Sequence, residues 1–320
     1  MVCISWVEQL LQLEDLGVAF PNARKILKMG HPLSSYKLLL VAASCSRPRF
    51  RGLCLELLRP FIRNGEVALR YRCYDRSMRM FLRMSEMSSD LLGALELGTD
   101  DTYNLDLDIG PGRAFRPDLV IDGGGNIGLF TLRAAAATAS AGAAQVEFVV
   151  CEPLPRNADQ IQRHLDLNNV QAELMRVCLG GSRRSVPFYC REAIDSSFDP
   201  EKPYLSVMEM PVYTLEDAIG SGPAERILIK LDIEGMEIEV LNAFVPSEKR
   251  AVYVVGELHE FARNAPLLER IFEENGWPFE YRSISHDHAL FRACSPSALP
   301  LLPSMQGIQS PVRAAGVSAA

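Results

Sequence analysis

From about residue 117 onward the chain alternates short apolar runs with segments of helical periodicity, and nothing else constrains its fold as strongly. Leu119-Val-Ile-Asp122 is the first run, ending in an acid and a glycine cluster, and an alanine-rich helix is expected over 127–139. Val146 to Cys151 reads as the second strand with a helix at 156–168, Ala172 to Leu179 as the third, and Arg226 to Leu231 as the fourth. A helix at 236–243, a fifth strand from Val252 to Leu258 and a helix at 264–275 follow. Two last strands, near 279–285 and 288–293, share a tight connection and are expected to pair antiparallel. Strands alternating with helices of about 10 to 15 residues give a parallel sheet wrapped on both faces. Between the third and fourth strands, Ser185–Tyr189 and Val207–Thr214 add an insertion with strand character.

The first hundred residues lack this alternation. Ile4, Val7, Leu10, Leu11 and Leu13 stand at helical spacing over 4–16, and two more helices are expected near 33–45 and 53–62. Glu66 to Cys73 and Ser77 to Met84 read as a hairpin turning at Tyr74-Asp75-Arg76, and Ser88 and Ser89 are expected to cap a short helix at 90–97. Residues 1–100 thus form an N-terminal helical and hairpin extension, a substrate or dimer element, and 101–294 the main α/β domain. Residues 295–320, rich in Ser, Pro, Ala and Gly, are expected to be a disordered tail.

Composition narrows the class. At 48% apolar and 23% charged, wholesale disorder and collagen-like structure are excluded. The longest apolar run, Leu38 to Cys45, falls far short of the roughly 20 residues that span a bilayer. Glu8, Glu14 and Asp15 interrupt the N-terminal segment where a signal peptide would be uninterrupted. Eight scattered cysteines without a CxxC pair suit a reduced protein, so the expected location is the cytoplasm. Residues 1–90 hold 14 Lys and Arg against 8 Asp and Glu, whereas the remainder holds 19 against 32. An acidic main body argues against nucleic-acid binding. A homo-oligomer is left open.

In an open parallel sheet, ligands bind beyond the carboxyl ends of the strands, beside the first strand. Here that strand ends in Asp122-Gly123-Gly124-Gly125-Asn126-Ile127-Gly128, glycines that permit a tight turn and close approach of a ligand to the backbone. Taken literally, Gly123-x-Gly125-x-x-Gly128 satisfies the dinucleotide fingerprint, a weak match by itself. The acid directly before the glycines would repel a pyrophosphate but suits the ammonium of an amino-acid-like ligand. Glu152, closing the second strand, is placed to hydrogen-bond a ribose diol. Together these describe S-adenosylmethionine better than NAD.

Three blocks, VIDGGGNIGLFTL, VCEPLPRNADQIQRHLDLNN and KLDIEGMEIEVLNAF, with the intervening VCLGG and VYTLEDAI, resemble the FkbM family of S-adenosylmethionine-dependent methyltransferases over roughly residues 80–292. The family pattern more often has Val-Gly-Ala where this chain has Gly123-Gly124-Gly125. The resemblance implies a doubly wound, seven-stranded Rossmann-like methyltransferase sheet with an antiparallel last strand. It also implies O-methylation of a hydroxyl on a sugar, polyketide or related small-molecule or glycan acceptor, with S-adenosylhomocysteine as product. Residues 1–65 match nothing in the family, so the acceptor is not carried over.

The fourth strand ends in Lys230-Leu231-Asp232-Ile233-Glu234-Gly235, and strand alternation puts its three ionisable side chains on one face. Charges on an otherwise apolar strand are costly unless paired or used. Lys230 and Asp232 either form an ion pair that fixes the loop, or Asp232 and Glu234 orient substrate or accept the hydroxyl proton. Glu257 and His259 close the fifth strand and are expected to join that rim, where an imidazole of ordinary pKa suits a general base. Candidate catalytic residues are therefore Asp232, Glu234, Glu257 and His259. Cofactor-binding candidates are Asp122, Gly123, Gly124, Gly125, Asn126, Gly128 and Glu152. The rim has oxygen ligands of the kind Mg²⁺ takes, but residue types alone select no metal, and none is assigned. His286-Asp287-His288 reads as turn residues, since no other Cys or His lies nearby in sequence. Ser88, Ser89 and Asp90 stand in the family's entry region, where they would help close over the cofactor. A nicotinamide-dependent oxidoreductase and a non-catalytic nucleoside-binding module stay as alternatives.

Overall fold

The computed structural model describes residues 31–46, 51–95, 101–143, 145–190 and 204–308. The helix expected at 4–16 lies outside them, as do residues 309–320. The chain divides into two compact units, Met1–Thr102 and Tyr103–Ala320.

The first unit holds helices α1 (Pro32–Ser46) and α2 (Arg51–Leu58), strands β1 (Ile62–Arg63), β2 (Glu66–Cys73) and β3 (Arg76–Arg83), and helix α3 (Met87–Gly93). Period-two alternation buries Val67, Leu69, Tyr71, Cys73, Met78, Met80 and Leu82 on one face of the β2–β3 hairpin. The other face exposes Arg70, Arg72 and Arg79. Helix α3 begins earlier than the serines suggest, so Ser88 and Ser89 lie inside it and neither side chain caps it. The cause is Asp90, fully buried in the first turn. Its carboxylate accepts the Arg83 backbone N–H at 2.7 Å and pairs with the Arg83 guanidinium at 2.7 Å, tying the helix start to β3. Its oxygens thus bind the β3 strand of the hairpin.

In the second unit, β4 (Leu119–Gly123), β5 (Glu147–Cys151), β6 (Glu173–Met175), β10 (Arg226–Leu231), β11 (Ala251–Leu258), β12 (Phe279–Ser283) and β13 (Ala289–Cys294) form one sheet ordered β12-β13-β11-β10-β4-β5-β6. Neighbours pair in parallel from β6 to β11, and β13 enters antiparallel between β11 and β12. This is the doubly wound sheet with an antiparallel last strand. Helices α4 (Leu129–Ser140), α5 (Pro155–Asn168), α6 (Leu215–Ile219), α7 (Glu237–Ala243) and α8 (Phe261–Glu274) supply the crossovers. Central strands read as unbroken apolar runs because both faces are covered: Ile227 to Ile229 and Val252 to Val255 are all fully buried.

The third expected strand splits. Only β6 joins the main sheet, and β7 (Cys178–Leu179) pairs with β9 (Ser206–Tyr213), which also carries β8 (Arg184–Cys190) as an antiparallel partner. The stretch expected as a disordered tail is ordered as far as 308. Two 3₁₀ turns, Leu299–Leu301 and Pro303–Met305, bury Leu302 and Met305 completely. Asp108, also fully buried, anchors them by accepting Ser304 Oγ at 2.5 Å together with the Tyr253 hydroxyl at 3.1 Å.

Candidate active site

The site is built where β4, β10 and β11 end side by side. Parallel register sets Lys230 beside Asp122 and Leu231 beside both Gly123 and Gly256, so the segments that follow emerge together. The chain then turns at Gly124 with φ of +76°, while its amide and that of Gly125 donate to the Cys151 carbonyl. A Cβ on Gly124 would stand 1.8 Å from the Asp232 carbonyl oxygen. Glycine is required there by the close passage of two backbones, as well as by the left-handed turn.

Lys230 holds this turn. Its ammonium, buried among apolar strands, donates to the Gly124 carbonyl at 2.6 Å and lies 3.4 Å from Asp122 and 3.6 Å from Asp232. Burial opposes its charge, but the carboxylates of Asp232 and Asp122 outweigh this and raise its pKa. Asp122 is itself fully buried and takes the Thr131 hydroxyl at 2.7 Å, so it ties Lys230 to helix α4. The ion pair that fixes the loop also holds Asp232. His164, buried on α5, adds a second clamp: Nδ1–H donates to the Ile127 carbonyl at 2.7 Å.

Glu152 reaches back from β5 to the same loop. Oε2 accepts the Asn126 amide at 2.8 Å and Oε1 the Leu154 amide at 2.9 Å. Burial pushes its pKa up to about 7, against these amide hydrogen bonds and the Lys230 charge. Asn157 Nδ2 donates to Oε1 as well, at 3.5 Å, and since a carboxylate has about four lone-pair sites, capacity for one ligand hydroxyl remains. The Asn126 side-chain oxygen is buried without a hydrogen-bond partner.

The rim lies one residue further out. Asp232 and Glu234 follow β10, with Glu234 brought round by a turn at φ of +57° rather than by strand alternation. Asp232 Oδ2 accepts the Tyr103 hydroxyl at 3.2 Å. Glu257 ends β11, where burial and the Asp232 charge raise its pKa while the hydrogen bond from His288 Nδ1 works the other way. His259, just beyond β11, donates from Nδ1 to Glu237 Oε1 at 3.0 Å and points Nε2 toward Glu234 Oε2 at 3.6 Å. Burial resists its charge, yet Glu237, Asp232 and Glu234 push its pKa up to about 10.

The four rim candidates and the glycine-loop candidates therefore gather at one end of the sheet. Sequence reasoning missed Tyr103, His164, Glu237 and His288. Glu237 carried a signal, an acid in the first turn of the helix after the Lys-Leu-Asp-Ile-Glu-Gly block. His288 was set aside as a turn residue for want of sequence neighbours. Its partners come from β11 instead, because the β11–β13 register sets Leu258 opposite Ala289 and the His259 and His288 rings 4.8 Å apart.

A family model described as the methyltransferase FkbM domain matches residues 122–278. These residues carry a methyltransferase FkbM domain, and the protein is a methyltransferase. Among solved structures, methyltransferase FkbM from Methylobacillus flagellatus KT is similar at 13% identity and a TM-score of 0.36, with 78% of this chain and 60% of that chain covered. TYW2 from P. horikoshii, in complex with MeSAdo, is similar at 11% identity and 0.38, covering 79% and 84%. Precorrin-6y C5,15-methyltransferase from Geobacter metallireducens GS-15 is similar at 13% identity and 0.33, covering 60% and 83%. At such scores these likenesses bear on neither activity nor substrate. No curated protein matches the chain. No helix among the described residues is long and apolar enough to cross a membrane.

Proposed function

We propose that the protein transfers the methyl group of S-adenosylmethionine to a hydroxyl oxygen of a small-molecule or glycan acceptor. When bound, this cofactor supplies an electrophilic methyl on a sulfonium. The residues of the β4 end fit it. Glu152 keeps acceptor capacity for one ribose hydroxyl, and the Asn126 side-chain oxygen, buried without a hydrogen-bond partner, can accept a second donor. Asp122 acts one step back, its buried carboxylate ion-paired with Lys230 and hydrogen-bonded by Thr131.

The observation that carries the reading is the contact between the two halves of the site. The Asp232 amide donates to the Gly123 carbonyl at 3.2 Å, and the Asp232 carbonyl caps Gly124. Of the rim carboxylates, Asp232 is thereby fixed against the glycine loop. It takes the acceptor proton while Tyr103 and Lys230 hold its side chain in place. His259, Glu234 and Glu257 orient the acceptor. Most of the rate enhancement comes from positioning, with modest base assistance. The acidic second unit favours a neutral or cationic acceptor over a polyanion.

Calorimetric titration with S-adenosylhomocysteine, against NAD and NADH, tests this. Micromolar binding of the first alone, weakened tenfold or more by Glu152→Ala, is the expected result. Binding of NADH instead would sink the reading.

A further inference from the structure

Two trios of metal-ligating side chains meet at His259. One atom each from Asp232, Glu234 and His259 lie within 4.8 Å of one another, and the same holds for Glu257, His259 and His288. Ligand atoms around one ion with bonds of about 2.1 Å stand up to about 4.2 Å apart, so small side-chain rotations close either set.

The imidazole is oriented as a ligand is. Metal-binding histidines commonly donate one ring N–H to a carboxylate and offer the other nitrogen to the ion. His259 gives Nδ1–H to Glu237 and turns Nε2 toward Glu234. Glu237 is wholly buried, and its Oε1 is fixed by the backbone amides of Ile233 and Gly235. Its Oε2 is buried with no hydrogen-bond partner. This is a built support for a ring in one orientation. Around it stand four carboxylates, Asp232, Glu234, Glu237 and Glu257, with Lys230 as the nearby cation and that charge shared with Asp122.

We propose that the protein binds one divalent transition-metal ion between Glu257, His259 and His288, with Glu234 beside it. Two imidazoles among carboxylates suit Mn²⁺, Fe²⁺, Co²⁺ or Zn²⁺, whereas Mg²⁺ prefers an all-oxygen shell. Binding itself does not depend on the methyl-transfer reading. The consequence does rest on it: an ion at this rim holds neighbouring oxygens of the acceptor and lowers the pKa of the hydroxyl to be methylated.

The test is a titration of the full chain, stripped with chelator and free of cofactor, with Mn²⁺ followed by electron paramagnetic resonance. One equivalent binds saturably in the wild type. His288→Ala and Glu257→Gln each weaken binding at least tenfold. His286→Ala, in the same turn with a side chain 90% exposed, leaves it unchanged. Thermal melting by circular dichroism checks that the variants fold, and if His288→Ala does not, Glu257→Gln decides. Absence of saturable binding, or equal loss in His286→Ala, overturns the proposal. Because no S-adenosylhomocysteine is present, failure of the cofactor titration and failure of this one are read separately.

Discussion

The Lys230 ammonium donates to the Gly124 carbonyl at 2.6 Å, so a charge from the fourth strand of the parallel series fixes the turn that follows the first. Removing it strands Asp122, which has no exposure to water. Lys230→Met is expected to destabilise the second unit by about 3–5 kcal/mol, the usual cost of breaking a buried ion pair. Asp122→Asn added to it removes the orphaned charge and recovers part of the loss. Urea denaturation of the two variants measures both quantities, and a near-neutral Lys230→Met would contradict the clamp.

The proposed role of Glu152 predicts a pH dependence for cofactor binding. Its pKa stands near 7 through burial, and in the proposed complex a ribose hydroxyl donates to the ionised form. Below that pH the protein must shed a proton to bind. Affinity for S-adenosylhomocysteine therefore falls as pH drops from 8 to 6, and the fall is absent in Glu152→Gln. For folding the sign is reversed. A carboxyl raised above its unfolded value near 4.3 favours the folded state most at low pH, and that contribution is lost as pH rises through 7.

Gly124→Ala places a methyl 1.8 Å from the Asp232 carbonyl oxygen at a positive φ. The left-handed conformation alone costs an alanine about 1–2 kcal/mol, and the clash adds to it. A drop of more than about 2 kcal/mol is expected, together with loss of S-adenosylhomocysteine binding. Gly142→Ala is the contrast: it shares a positive φ with nothing near the new Cβ, so it bears the backbone cost alone. Equal melting temperatures for the two would remove the close approach as an explanation.

Leu302→Ala tests the ordered segment beyond β13. Leu302 is completely buried, so its truncation should cost about 2–5 kcal/mol in chemical denaturation. A change within about 0.5 kcal/mol is what a disordered tail would give.

Much of this was legible from pattern alone. Apolar runs such as Ile227 to Leu231 between helices specify a covered parallel sheet, and the rim acids announce themselves by ending those runs. Strand order was not legible, and the unexpected contacts depend on it. Lys230 meets Gly124 because β10 lies beside β4, and His288 meets Glu257 because β13 inserts beside β11. The 172–179 run failed for a related reason: Cys178 and Leu179 are as apolar as strand residues of the main sheet, but their partner is β9 in the insertion. The Ser and Pro of 295–308 look like linker composition, yet Ser304 and Ser295 are hydrogen-bonded to buried groups.

The antiparallel insertion of β13 also fixes when the site can be completed during synthesis. The loop contacts of Glu152 with Asn126 and His164 with Ile127 are all encoded by residue 164, early in the second unit. The rim waits for His288, which reaches β11 only through a strand made after all the parallel ones. A nascent chain thus has every residue of the glycine loop long before it can present a complete rim.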